Sequence, residues 1–289
     1  MTVLVTGATG RVGRHVLQEL NERGVPARAA VHRPAPDTTA RAVSFSFTDP
    51  RTWREAMRGA TSMFVMRPPQ ISRVKEDMLP ALSAAREYGV KRMVLLSLQG
   101  ADRNPAVPHH TLENWLRASG LEWTFVRAGF FMQNLSTTHA AEIRDLGRIV
   151  VPAGGGRTSF VDARDVAAVA VRALTDDTLV REAVTPTGVT ALTYTEVAEL
   201  ISTELGAPVS YISSGPLAFW RHRRAQGTPH AETAVMLALY SACRFNLAAG
   251  VTHDVRTVLG RDPISFSRFA HDERAAWLPR PHQPFRNQV

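Results

Sequence analysis

Apolar and polar positions follow two rhythms along this chain. Through roughly the first 175 residues, short apolar runs suited to buried strands recur at Val3–Val5, Arg28–Val31, Ala42–Phe47, Ser62–Val65, Arg92–Leu96 and Trp123–Ala128. Between them lie stretches whose apolar residues fall three and four apart, on one face of a helix. Val12, Val16, Leu17 and Leu20 form one such set, and the segments Val74–Tyr88 and Thr111–Ser119 carry two more. Strand followed by helix at this spacing predicts right-handed βαβ units, hence an α/β fold with a Rossmann-like, doubly wound parallel sheet. Phe160–Asp162 reads as a late strand ahead of a helix over Val166–Leu174, with Asp165 or Asp162 as its cap.

After Thr175 the rhythm becomes mainly helical. Thr193-Tyr194-Thr195-Glu196 is a capping box, opening a helix whose apolar positions Val197, Leu200, Ile201 and Leu205 lead to Gly206. A short strand over Val209–Ile212 and helices over Glu232–Phe245 and Phe266–Trp277 complete the pattern, and the proline-bearing tail from Leu278 reads as extended. The expected organisation is a nucleotide-binding domain over 1–180 and a smaller substrate-binding lobe over 181–289, with some strands of the second rejoining the main sheet. By position, Phe130, Phe131, Met132, Trp220 and Tyr240 are candidates for an apolar pocket or, equally, for core.

A chain of 289 residues, 44% of them apolar, is long enough to bury a core without staples. Cys243 is the sole cysteine, which leaves no internal disulfide and no cysteine-based metal cluster. His109 and His110, read as loop neighbours, lack a third ligand, so no metal site is expected. The chain opens on a strand, and no run approaches the roughly 18 apolar residues of a membrane span; the expectation is a cytoplasmic protein with no membrane partner. The formal charge of +8 rests on arginine, Lys75 and Lys91 being the only lysines. These arginines are scattered, and the densest group, Arg221-His222-Arg223-Arg224, has no aromatic ladder beside it. That argues for a solvated face or the attraction of an anionic cofactor, and against nucleic acid.

The most specific chemistry lies in the first turn. Gly7-x-x-Gly10-x-x-Gly13 follows the strand Val3–Val5 directly and opens the first helix. The first glycine lets the chain leave the strand, the second lets backbone approach a pyrophosphate, and the third packs helix on strand. Gly7, Thr9, Gly10, Arg11, Val12 and Gly13 are therefore the expected dinucleotide contacts, at the positive end of a helix. The second strand ends in Val31-His32-Arg33 with no acidic residue to bind a ribose 2′-hydroxyl. Arg33, helped by His32 and Arg11, suits a 2′-phosphate, which favours NADP(H) over NAD(H).

Taken with Val5-Thr-Gly-Ala-Thr-Gly-Arg-Val-Gly13, the segments Gly89-Val-Lys-Arg-Met-Val-Leu-Leu-Ser97, Leu116–Leu135, Phe160–Ala167 and Ser265–Ala270 make a longer pattern. In it the chain resembles the NmrA-like branch of the atypical short-chain dehydrogenase/reductases, which holds NAD(P)H:quinone oxidoreductases and cofactor-sensing regulators. The resemblance spans nearly the whole chain. It implies that Phe47 and Thr48 lie near the adenine, that Met66, Arg67 and Pro68 lie over the ribose and nicotinamide, and that Ser97 ends its strand beside the nicotinamide. Ser46 stands where relatives often carry aspartate.

The usual Tyr-x-x-x-Lys relay, in which lysine lowers the tyrosine pKa, has no counterpart: the residues four after Tyr88, Tyr194, Tyr211 and Tyr240 are Arg92, Ala198, Gly215 and Arg244. His110 occupies the place, three residues before Glu113, where relatives commonly carry lysine. Two functions are then open. One is a reductase whose small, aromatic or quinone-like acceptor needs little acid catalysis, with His110 and Ser97 as catalytic candidates and His109 a possible helper. The other is a non-catalytic NADP(H) sensor; an isomerase reusing the pocket is a distant third. Either a monomer or a homodimer fits.

Overall fold

The computed structural model describes residues 1–32 and 42–279. Six strands in chain order, β1 (Val3–Val5), β2 (Ala27–Val31), β3 (Ala42–Ser44), β4 (Ser62–Met66), β5 (Arg92–Leu98) and β6 (Glu122–Ala128), join Glu182–Val184 in one seven-stranded sheet. Its order across the sheet is β3-β2-β1-β4-β5-β6 with Glu182–Val184 on the outer side of β6, and each pairing is parallel. This is the doubly wound Rossmann order, in which the succession of strands across the sheet reverses between β1 and β4 while all of them run parallel.

The central strands β1 and β4 are apolar almost throughout because both faces are covered. Along β1, Val3 and Val5 enter the core packed by the helices Arg11–Glu22 and Ala163–Thr175, while Leu4 enters the opposite core. That second core takes in Leu82 from the helix Leu79–Glu87 and Leu112 and Leu116 from the helix Pro108–Ala118. Alternation along one strand thus feeds two hydrophobic layers.

Two local readings need correction, and one open alternative is decided. The expected single helix over Val74–Tyr88 is two pieces, Val74–Asp77 and Leu79–Glu87, parted at Met78 (φ −125°). Pro80 has no N–H for the Glu76 carbonyl, so the helix cannot run through. The helix expected from Thr111 begins at Pro108, whose fixed φ suits the first helical position. His109 and His110 therefore lie in a first helical turn and not in a loop. Of the two candidate caps for the helix Ala163–Thr175, Asp162 is the one used, accepting from the Arg164 amide at 2.8 Å.

Contacts group the chain into two interleaved units, where the sequence suggested one boundary near 180. Unit 1 comprises Met1–Phe131, Val161–Gly188 and Thr252–Pro263. Unit 2 takes Met132–Phe160, Val189–Val251 and the chain from Ile264. Unit 2 is mainly helical, with one parallel pair, Arg148–Val151 on Ser210–Ser213. Its core gathers Phe160, Tyr194, Phe219, Tyr240, Phe266, Phe269 and Trp277, and the Trp277 indole donates to the Leu135 carbonyl at 2.9 Å. The capping box at Thr193 forms as read, with Thr193 and Glu196 bonded reciprocally. Among the described residues no helix is long and apolar enough to cross a membrane, and no three metal-ligating side chains converge.

Candidate functional site

Leaving β1, the chain turns at Gly7 with φ +62°, a conformation that favours glycine. The Gly10 amide closes the turn on the Gly7 carbonyl at 2.8 Å, and Gly10 then caps the helix Arg11–Glu22. Gly13 carries the strictest demand: a Cβ there would lie 2.1 Å from the Gly7 carbonyl oxygen. Helix and turn touch backbone to backbone. No side chain caps this twelve-residue helix, and its first turn holds no acidic residue. The positive helix end is thus left to an anion from outside.

The turn sits at the sheet's switch point. Thr6 Oγ1 donates to the Phe64 carbonyl at 2.9 Å and accepts from the Met66 amide at 2.8 Å, fastening the end of β1 to that of β4. Met66 consequently lies over the glycines, where a Cβ added to Gly7 would meet its Cε at 2.1 Å. Thr9 is exposed and Arg11 half-buried, while Val12 is core. His32 is exposed at the end of β2; Arg33 lies outside the described residues. Phe47 is buried edge-on against Phe45, and exposed Thr48 shares a hydrogen bond with the Ser46 hydroxyl at 3.1 Å.

After Met66, Arg67 folds onto its own loop. Its Nη1 donates to the carbonyls of Pro68, Pro69 and Ile71, and its Nε is enclosed without a partner. Burial pulls the guanidinium below its usual pKa.

At the end of β5, Ser97 donates its hydroxyl to Glu113 Oε1 at 2.7 Å. Glu113 is fully buried and also accepts from Arg127 at 3.0 and 2.6 Å and from Arg117 at 3.0 Å. Asp102 stands 3.4 Å from Arg127. With its proton committed to this carboxylate, Ser97 has only lone pairs to offer a ligand: it accepts hydrogen bonds and does not donate them. His110 Nδ1 lies 2.9 Å from the Ala101 carbonyl, which can only accept. The neutral ring therefore keeps its proton on Nδ1, and its Nε2 is an acceptor as well. His109, one helical turn before Glu113, is 6% exposed with Nδ1 enclosed and unpartnered. Burial first, then the Arg67 charge, hold its pKa down to about 4, against a smaller opposing pull from Glu113.

The role of Glu113, Arg117 and Arg127 went unread in the sequence. The signal is an acidic residue at an apolar helix position, beside Leu112 and Leu116, and an arginine inside the strand Trp123–Ala128. Both are misfits unless they meet.

Unit 2 has its own buried polar group. His139 bonds Tyr240 through Nε2 at 2.5 Å and Arg223 through Nδ1 at 2.7 Å, and Glu142 accepts from His222 at 2.5 Å. Tyr240 and Met132, candidate pocket residues, are thus core in this unit. Burial depresses the His139 pKa, and it raises that of Tyr240. Unfolded, His109 and His139 bind protons near pH 6.5; folded, they resist, so stability falls as pH drops below about 6.5. For His109 alone the loss reaches about 3 kcal/mol near pH 4. Urea melts at pH 7.5 and pH 4.5 check this: His109→Asn should narrow the gap between the two.

The sequence pattern of the family described as NmrA-like matches residues 1–230. The chain is 36% identical over 288 residues to an NAD(P)H azoreductase of Xenophilus azovorans, covering 95% of this chain and 99% of that protein. Its fold matches the NADPH complex of the NADPH-dependent quinone oxidoreductase QOR2 of Escherichia coli with a TM-score of 0.82 at 21% identity, over 93% and 99% of the two chains. The NADP(H) complex of the triphenylmethane reductase of Citrobacter sp. matches equally well, at 0.82 and 20% identity over 94% and 99%.

Proposed function

Since the chain belongs to the NmrA-like family, we propose that it is an oxidoreductase that binds NADP(H) in preference to NAD(H) and passes hydride to a quinone or another small aromatic acceptor. The observation that carries this reading is the uncapped helix behind Gly7, Gly10 and Gly13, at the switch point of the sheet, where backbone N–H groups remain for a pyrophosphate. A 36% identical relative, 99% of which is covered, named for azo reduction with NAD(P)H, supports the reaction class.

The residues divide the work as follows. Gly7, Thr9, Gly10, Arg11, Val12 and Gly13 form the pyrophosphate turn, and His32 with Arg33 takes the 2′-phosphate. Phe47 and Thr48 border the adenine. Met66, Arg67 and Pro68 border the ribose and nicotinamide. The bound cofactor supplies hydride. Ser97, held as an acceptor by Glu113, suits the amide N–H of the nicotinamide and cannot protonate a carbonyl. A quinone that gains hydride becomes a resonance-stabilised phenolate and takes its proton from water, so no Tyr-Lys relay is required.

NADPH oxidation followed against a panel of quinones and azo-bridged aromatics tests the proposal, alongside Kd values for NADPH and NADH. Turnover with at least one acceptor is expected, with NADPH held more tightly. Tight NADP(H) binding without turnover on any acceptor overturns it in favour of a cofactor sensor.

A further inference from the structure

Within unit 1, three hydroxyl or imidazole groups lie at or just beyond the carboxyl end of β5, and two are already spoken for. Ser97 gives its proton to Glu113, and His110 gives its Nδ1 proton to the Ala101 carbonyl. Neither can donate to an acceptor molecule in its resting state. His109 differs. No hydrogen bond engages its ring among the described residues, and of its two nitrogens only Nδ1 is enclosed. An enclosed N–H without an acceptor costs more than an enclosed lone pair, so the ring proton belongs on Nε2, the nitrogen that is not enclosed.

We propose that His109 is the residue that touches the hydride acceptor, donating its Nε2–H to the acceptor's oxygen or nitrogen as negative charge develops there. This rests on the reductase reading above. A second observation points the same way. Arg67, the charge His109 feels most strongly, has an enclosed Nε without a partner, and its guanidinium bonds only to backbone carbonyls. No carboxylate neutralises it among the described residues. The neighbouring acid, Glu113, is already met by Arg117 and Arg127. The surroundings of His109 therefore carry uncompensated positive charge, suited to an atom that turns anionic during reaction and not to one that arrives cationic.

His109 holds its own proton throughout. The acceptor gains one hydrogen and two electrons as hydride, its anion is stabilised by the Nε2–H and by the Arg67 charge, and water then supplies the second hydrogen as a proton. A neutral imidazole is the right donor for this, because it leaves no charge of its own to be neutralised at physiological pH.

The test uses the full chain loaded with NADP(H) and the variants His109→Phe and His109→Gln. With a quinone as acceptor, kcat/KM should fall on the order of 10²-fold in His109→Phe, the size of losing one donor at a developing oxyanion. His109→Gln, which restores an N–H, should recover part of it. NADPH affinity should stay within about twofold in both. Between about pH 5 and 8 the wild-type kcat should be flat; an activity that falls as pH rises through about 6.5 would mean a protonated histidine acts as acid, and overturns the assignment. So would an unchanged kcat/KM in His109→Phe, or a loss matched by the loss of NADPH affinity. A binding arm stands apart from turnover: calorimetric titration of the NADP-loaded protein with 4-nitrophenolate. Weaker binding in His109→Phe supports the donor role even if every acceptor fails, whereas unchanged binding overturns it. Absence of turnover together with His109-dependent binding would count against the reductase reading alone.

Discussion

Gly13→Ala should abolish measurable cofactor retention and lower the melting temperature together. The new Cβ would sit 2.1 Å from the Gly7 carbonyl oxygen, 2.7 Å from the Gly7 carbonyl carbon and 3.0 Å from Ala8 Cα. All three are backbone atoms, so no side chain can rotate away; either the helix Arg11–Glu22 lifts off β1 or the turn opens. Overpacking in a rigid core costs about 1–3 kcal/mol and more when nothing can yield. The same displacement moves the N–H groups proposed to meet the pyrophosphate, so NADPH affinity should drop at least about a hundredfold, worth roughly 3 kcal/mol. Gly10→Ala separates the two effects. Gly10 has φ −80°, open to any residue, and its Cβ would meet the Gly7 carbonyl oxygen at 3.1 Å. That variant should keep nearly its full melting temperature and lose affinity only as far as a ligand approaches Gly10; the bulkier Gly10→Asp, with its negative charge, should lose binding outright. Thermal melts with and without NADPH, and fluorescence titration, distinguish these outcomes.

What the sequence disclosed and what it withheld divide along a physical line. Local periodicity and turn chemistry carried the sheet: the strands β1 to β6, the helix opened by the glycine turn and the capping box at Thr193 lie where short-range pattern put them. Elements set by a single proline or by a distant partner did not show. Pro80 parts one helix, and Pro108 starts another three residues early, which moves His109 and His110 from a loop into a helical turn. Arg148–Val151 is too short to announce itself and becomes a strand by pairing with Ser210–Ser213, some sixty residues on. The glycine cradle of the candidate site was legible because close backbone approach needs glycine at fixed spacing. The hydrogen-bond state of Ser97 was not, because it depends on Glu113 sixteen residues away and on Arg127 from the next strand. Ser97, a catalytic candidate in the sequence, is thereby left as a hydrogen-bond acceptor in the structure.

Glu113→Ala should be the most destabilising single change at the carboxyl edge of the sheet. The fully buried carboxylate is met by Arg127 through two hydrogen bonds, by Arg117 and by Ser97. The Arg127 side chain is 12% exposed, so removing its partner strands a guanidinium where water reaches it poorly, with Asp102 at 3.4 Å as partial compensation. Breaking a buried pair from one side costs about 3–5 kcal/mol. For a chain of this size each kcal/mol moves the melting temperature by a few degrees, giving a fall of roughly 10 °C. Arg117, 38% exposed, can turn to solvent and adds little to the loss. Glu113→Gln probes the chemistry more finely. The amide fills the same space and its oxygen still accepts from Ser97 or from Arg127, but one of its atoms has become a donor facing a cation. A smaller drop in melting temperature is therefore expected, with a hydroxyl at Ser97 no longer bound to donate in one direction only. If Ser97 serves the cofactor as an acceptor, NADPH affinity falls in Glu113→Gln while the fold survives; calorimetry on the two variants at pH 7.5 reads the stability and the affinity separately.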